Sequence, residues 1–110
     1  MKITQAVPTI SALAHEGRLV LFRLLVRAGD DGLPAGAIAK AASVNLTTSS
    51  AQLGILAGAG LVSTERRGRS ILYRANYQRI SSLLAFLMED CCQGRAEILQ
   101  PLTHLSEKQE

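Results

Sequence analysis

Five of the nine arginines of this 110-residue chain lie between Arg66 and Arg79, with Glu65 the one acid beside them. Guanidinium groups at that density suit a polyanion. A solvated basic face has the same composition, so charge alone leaves both readings open. The second feature with chemistry in it is the pair Cys91-Cys92. Adjacent cysteines cannot staple distant segments as a secreted disulfide framework would. Two thiolates side by side can instead hold a soft, thiophilic species, while Cys91 can equally act as a small hydrophobe in an apolar stripe. His15 and His104 stand isolated, with His15 at a helix boundary where a structural role is expected. There is no phosphate loop, no Gly-rich dinucleotide fingerprint and no nucleophile elbow, so an enzyme is not expected.

The elements that position these residues come from a chain long enough for one domain and too short for two. Apolar residues make up 47% and charged ones 19%, outside the range of a disordered chain. With four aromatic residues (Phe22, Tyr73, Tyr77, Phe86) and no Trp, the core must be built from Leu, Ile, Val and Ala, which favours packed helices. The first residues lack the apolar core of a secretory signal, and no segment approaches the roughly 18 apolar residues of a membrane span. A cytoplasmic protein with no membrane partner is expected.

Periodicity divides the chain into five helices and a hairpin. Ile3, Ala6, Val7, Ile10, Leu13 and Ala14 recur at helical spacing, although Pro8 is expected to break or restart that helix. A second helix over Glu16–Ala28 places Leu21, Leu24, Leu25 and Ala28 on one side, Arg23 and Arg27 on another, and closes at Gly29-Asp30-Asp31-Gly32. Pro34 suits the first turn of a third helix reaching Ala42, with Ile38, Ala39 and Ala42 inward. Thr47 is the expected N-cap of a fourth helix that buries Leu53, Leu56 and Ala57 and ends at Gly60. The period then changes: residues 61–65 and 71–75 read as two strands flanking the basic loop Arg66-Arg67-Gly68-Arg69-Ser70. Asn76 caps a fifth helix whose stripe runs Ile80, Leu83, Leu84, Leu87, Met88, Cys91. The expected organisation is one domain over residues 1–92 and a partly mobile tail over 93–110.

Two short helices joined by a tight turn and followed by a basic hairpin make a winged helix-turn-helix, mainly α with a small β-hairpin. In that arrangement the fourth helix enters the major groove of double-stranded DNA and the hairpin reaches the flanking backbone or minor groove. Thr47, Thr48, Ser50 and Gln52 then face DNA from the helix. Arg66, Arg67, Arg69 and Ser70 form the tip of the wing. The stripe from Ile80 to Met88 exceeds what a small core needs, so a homodimer reading an inverted repeat is expected.

Four blocks resemble, in order, the ArsR/SmtB family of metalloregulatory repressors: residues 12–19 (ALAHEGRL), 32–39 (GLPAGAIA), 56–62 (LAGAGLV) and 67–73 (RGRSILY). The resemblance spans roughly residues 10 to 92. It implies a winged-helix dimer built through the first and last helices that represses its operon and leaves DNA when an inducer binds. The chain departs from the family where Ser49 replaces an aliphatic residue and Gln52 a His. The family's thiolate site on the first helix of the helix-turn-helix is absent, since no Cys lies between Leu33 and Ala42. Its zinc site across the last helices is absent too, since Tyr77 to Asp90 holds no His. What remains is Cys91-Cys92, which resembles the vicinal pair of an arsenic-responsive branch and implies a trivalent arsenical as inducer. The third Cys that some relatives carry is missing from residues 95–99. Two thiolates satisfy methylarsenite, whose third bond is already to carbon; arsenite needs an external thiol, hydroxide or a partner residue. No cofactor is required. Glu89, Asp90 and the helix C-terminus all disfavour a thiolate, against Arg95 alone, which argues against a freely reactive thiol. The alternatives are a redox or persulfide-sensing repressor of the same fold, or a winged-helix dimerisation module without an inducer, to which Ser49 and the glycines of the fourth helix would point.

Overall fold

The computed structural model describes residues 1–89, 97 and 100–102. Cys91, Cys92 and most of the tail expected beyond residue 93 lie outside the described residues. Within the described residues the main elements follow in the order α1 (Ile3–Leu13), α2 (Glu16–Ala28), β1 (Leu33–Pro34), α3 (Ala35–Ala42), α4 (Leu46–Gly58), β2 (Val62–Arg67), β3 (Ser70–Ala75) and α5 (Tyr77–Leu87).

Pro8 sits inside α1 without ending it, contrary to the expected break. It forfeits one i to i−4 hydrogen bond. That loss falls in the second turn, where the freed carbonyl of Thr4 belongs to an exposed residue. The next residue, Thr9, is buried and returns its hydroxyl to the Gln5 carbonyl at 2.8 Å. Helix α2 begins and ends where the periodicity placed it. His15 is its N-cap, with Nδ1 accepting from the Arg18 amide at 3.3 Å.

Leu21, Phe22 and Leu25 of α2 meet Ile38 of α3, Leu53 and Leu56 of α4, Leu61 just before β2, and Val62 and Ala75 of the sheet in one core. Truncating one of its fully buried leucines to Ala would cost about 2–5 kcal/mol, a large share of the roughly 5–15 kcal/mol available to a domain. Helix α3 closes with the Val44 amide on the Ala39 carbonyl at 3.1 Å and Ser43 in the left-handed region at φ 57°. This closure satisfies the last carbonyls of the helix and turns the chain toward α4.

The hairpin is part of a three-stranded antiparallel sheet of order β1-β3-β2. The short strand β1, which the pattern of the sequence did not announce, pairs Leu33 with Tyr73 and Pro34 with Leu72. Its approach to β3 requires Gly32: at φ 66°, a Cβ there would lie 2.5 Å from the Tyr73 carbonyl oxygen. The strands β2 and β3 run longer than expected. Val62 pairs with Ala75 at one end and Arg67 with Ser70 at the other, leaving Gly68-Arg69 as the whole turn. Gly68 has φ 59° while Arg69 does not have positive φ. A glycine at the first central position of a two-residue loop matches the right-handed twist of the strands it joins.

Candidate nucleic-acid interface

Helix α4 starts one residue before the expected cap. Asn45, not Thr47, is the N-cap, and its Oδ1 accepts from the Thr48 amide at 2.7 Å. Asn and Asp cap at least as well as Thr, and the earlier of two capping residues defines the first turn here. Thr47 is therefore released to an exposed helical position. Ser49, Leu53 and Leu56 turn into the core, while Ala57 is half-buried. Ser49 is buried without loss because its hydroxyl donates to the Leu46 carbonyl at 3.1 Å.

The opposite face of α4 carries Thr47, Thr48, Ala51, Gly54 and Ile55, all exposed, and the helix contains no charged residue. Gly54 and Gly58 have no neighbour within 4 Å of where a Cβ would stand. Internal packing does not call for either glycine, and an interior helical glycine costs about 0.8–1 kcal/mol relative to Ala.

The expected DNA-facing residues fall on two sides of this helix. Ser50 borders a groove of about 310 Å³ that it shares with Arg69 and Ser70 of the hairpin and Ala35 and Gly36 of α3. Thr48 and Gln52 border a second groove, of about 320 Å³, facing His15, Gly17 and Val20 of α2 and Val44 of the turn. Gln52 is half-buried, and its Oε1 accepts from Arg18 Nη1 at 3.1 Å. Arg18 itself was not singled out by the sequence for any role. Its Nε donates to the Ala12 carbonyl at 2.6 Å and Nη2 to that of Ser11 at 3.3 Å, where a cation also meets the negative end of α1. It thus braces the end of α1 against α4. The helix carries three arginines, Arg18, Arg23 and Arg27, and nothing in their spacing marks Arg18 as the one that turns inward.

At the wing, Arg66, Arg67, Arg69 and Ser70 are all exposed. Arg66 and Arg67 belong to β2 rather than to the loop. Glu65 lies between Arg67 and Arg74, pairing with both, at 2.9 Å in the case of Arg74. The Arg67 guanidinium, and after it that of Arg74, holds the Glu65 carboxyl below its ordinary range. Arg74 also donates to the Asp30 carbonyl at 2.7 Å, which fastens the wing to the body. Among the described residues Arg66 and Arg69 enter no ion pair. The four arginines of the hairpin therefore divide into a structural member, Arg74, a partly neutralised one, Arg67, and two with their charge uncommitted, while the fifth of the cluster, Arg79, lies on α5 beside Gly60. No group of three or more His, Cys, Asp and Glu side chains able to hold a metal occurs among the described residues.

An uncharged helix face next to a projecting basic hairpin can enter a nucleic-acid groove while its flank contacts phosphates. Residues 13–65 match the model of a family described as a helix-turn-helix domain. The chain is similar to the homodimeric winged helix-turn-helix DNA-binding domain Mb0332 from Mycobacterium bovis, described as a possible ArsR-family transcriptional regulator. The identity is 33%, over 80% of this chain and 81% of that one, with a TM-score of 0.66. It is 25% identical to the HTH-type transcriptional regulator YgaV of Escherichia coli (strain K12), over 80% of this chain and 87% of the relative. It is also 26% identical to a protein described as a possible transcriptional regulator for arsenical resistance, over 74% of this chain and 81% of the other, with a TM-score of 0.65.

Proposed function

The chain belongs to the ArsR family of winged helix-turn-helix, DNA-binding transcriptional regulators, and from that premise we propose that it is a homodimeric repressor of an inverted-repeat operator. The observation that carries this reading is the groove in which Ser50 of α4 meets Arg69 and Ser70 of the wing. A duplex seated on α4 brings its backbone to that groove, where side-chain hydroxyls and an uncommitted guanidinium are available to phosphate. Thr47 and Thr48 reach base edges from the exposed face, whereas Gln52, half-buried and held by Arg18, stands beside that face and steadies it. Arg66, Arg67 and Arg69 supply the salt-dependent attraction. The relatives are regulators and not enzymes, and no reaction is assigned to the chain.

Unpartnered apolar surface supports the dimer. Ile3 and Val7 of α1 are 66% and 61% exposed, and Leu84 of α5 is 53% exposed. These two helices touch each other within the protomer, so a second copy can cover both faces at once, as the first-and-last-helix interface requires. The Mycobacterium bovis relative is homodimeric. Among the described residues no helix is long and apolar enough to cross a membrane, and the proposed site of action is the cytoplasm.

The inducer is proposed to be a trivalent arsenical held by Cys91 and Cys92, which lie outside the described residues. The vicinal pair and the likeness to a protein described as a possible transcriptional regulator for arsenical resistance support this. The pair follows α5 in sequence, the helix proposed for the dimer interface, so ligation there can alter the spacing of the two DNA-reading units. A coupling of about 1–3 kcal/mol changes affinity roughly 5- to 150-fold. Zinc should be a poor inducer, because structural zinc normally takes about four protein ligands and each chain offers two thiols here.

The test is release of a bound duplex by arsenite, methylarsenite, zinc and a persulfide donor, for the wild type and the Cys91→Ser/Cys92→Ser double variant. Expected is release of the wild type by an arsenical and retention of the variant on DNA. Full inducibility of the variant would move the inducer site elsewhere, and release by the persulfide donor alone would replace the arsenical with a redox signal.

A further inference from the structure

We infer that α4 reads its operator chiefly through thymine C5-methyl groups, packed against Ala51, Ile55 and the Thr47 methyl, so that each half-site presents thymines to the centre of this helix. The inference rests on the DNA-binding reading and adds to it the class of base that is recognised.

Guanine is most often read by a bidentate Arg or Lys, adenine by Asn or Gln, and thymine by apolar contact with its methyl, the one apolar group on the floor of the major groove. Helix α4 has no Arg or Lys. Its one Asn is the cap, with Oδ1 committed to the Thr48 amide. Its one Gln is half-buried and held by Arg18. The two bidentate readers are thus missing from the outward face, and what stands there is hydroxyl or hydrocarbon. Ile55 is 47% exposed and Leu46 at the start of the helix 55% exposed, large apolar side chains on a surface that polar residues occupy without cost elsewhere.

Gly54, beside Ala51 and Ile55, makes the same point from shape. With nothing within 4 Å of its absent Cβ, it narrows the helix on the side facing out. A helix with its side chains is about 10–12 Å across and the major groove about 12 Å wide, so thinning this face lets the backbone sink toward the base edges. Short side chains such as Ala51 then reach a methyl that they could not touch from a shallower seat. The hydroxyls of Thr47 and Ser50 accept or donate to either base type and add little discrimination; affinity comes from the wing.

The test begins with selection of bound sequences from a randomised duplex library by the full-length protein. The preferred site is then rebuilt with deoxyuridine in place of thymidine, which removes only the C5-methyl. Fluorescence anisotropy on the two duplexes should show weaker binding of the uracil form, by about fourfold for each packed methyl removed and about 15-fold when one is removed from each half-site. In Ile55→Ser the ratio between the two duplexes should shrink toward one, and in Ile55→Val it should largely persist. The position is exposed, and an unchanged thermal midpoint confirms that each variant is folded.

A thymine-free preferred site, equal binding of the two duplexes, or a uracil penalty that Ile55→Ser leaves untouched would each overturn the methyl reading while leaving DNA binding intact. Failure to bind any duplex at low salt would overturn the DNA-binding reading and this inference with it.

Discussion

Replacing Gly54 by Ala should make the protein more stable and a poorer DNA binder. Gly54 lies inside α4, has ordinary helical backbone, and its missing Cβ faces open space, so Ala introduces no clash within the protomer. The helix-propensity difference of about 0.8–1 kcal/mol should therefore appear almost in full. For a domain of this size that raises the melting temperature by about 4–8 °C. In a dimer the substitution occurs twice over twice the residues, which leaves the shift the same at fixed protein concentration. On DNA the added methyl sits where the backbone is closest to the base edges. Overpacking of a fitted interface costs about 1–3 kcal/mol, or roughly 5- to 150-fold in affinity. Calorimetric melting and anisotropy titration of the same samples read the two effects. A lowered melting temperature would mean that Gly54 already packs against something. A raised one with unchanged affinity would mean that this face of α4 does not approach DNA.

The divided basic cluster separates the wing variants: Arg69→Ala should flatten the plot of log affinity against log salt by about 0.9 for each phosphate it no longer neutralises, about two for a dimer, and Arg67→Ala by less, because Glu65 already shares its charge. Glu65→Gln should release Arg67 and tighten DNA binding. The same variant tests a pH dependence. Since the Glu65 carboxyl is held below its ordinary value of 4.5, its pairing stabilises the fold above that pH and is lost as pH falls through the depressed value. The melting temperature of the wild type should thus exceed that of Glu65→Gln near neutrality and converge with it in acid, and a gap that widens in acid would refute the pairing. Gly32→Ala should destabilise by about 2–5 kcal/mol in urea unfolding, because it meets both a left-handed backbone and the Tyr73 carbonyl.

How far the sequence carried the fold depends on how local each determinant was. The bounds of α2, the inward residues of α3 and the Asn76 cap of α5 are set by neighbours three or four residues away, and all were legible. The strand β1 was not, because two residues show no period and their pairing with Leu72 and Tyr73 comes from a segment nearly forty residues later. The cap of α4 was misplaced because Asn45 and Thr47 both suit the role and only the path out of the α3 turn decides between them. The break expected at Pro8 does not occur although the residue stands in the middle of α1: the one backbone hydrogen bond it forfeits leaves a carbonyl on an exposed residue, and the packing of Ala6, Thr9 and Ala12 on the buried face holds both halves in one helix. At the candidate site, the basic hairpin and the polar positions of α4 were legible as residue types. That Glu65 and Asp30 would claim Arg74, or that Arg18 would reach 34 residues along the chain to hold Gln52, depends on tertiary contacts that spacing does not encode.

Hydroxyl-radical footprinting of the selected duplex tests the central claim most directly, because it maps at once the groove, the symmetry and the wing. Two protected patches related by a two-fold axis are predicted, their centres about 10–10.5 base pairs or a multiple of that apart, with the flanking protections weakened when Arg66 and Arg69 are both replaced by Ala. A single patch, or flanks that the double variant protects as well as the wild type, would contradict a homodimer that docks α4 in the major groove and its wing on the backbone beside it.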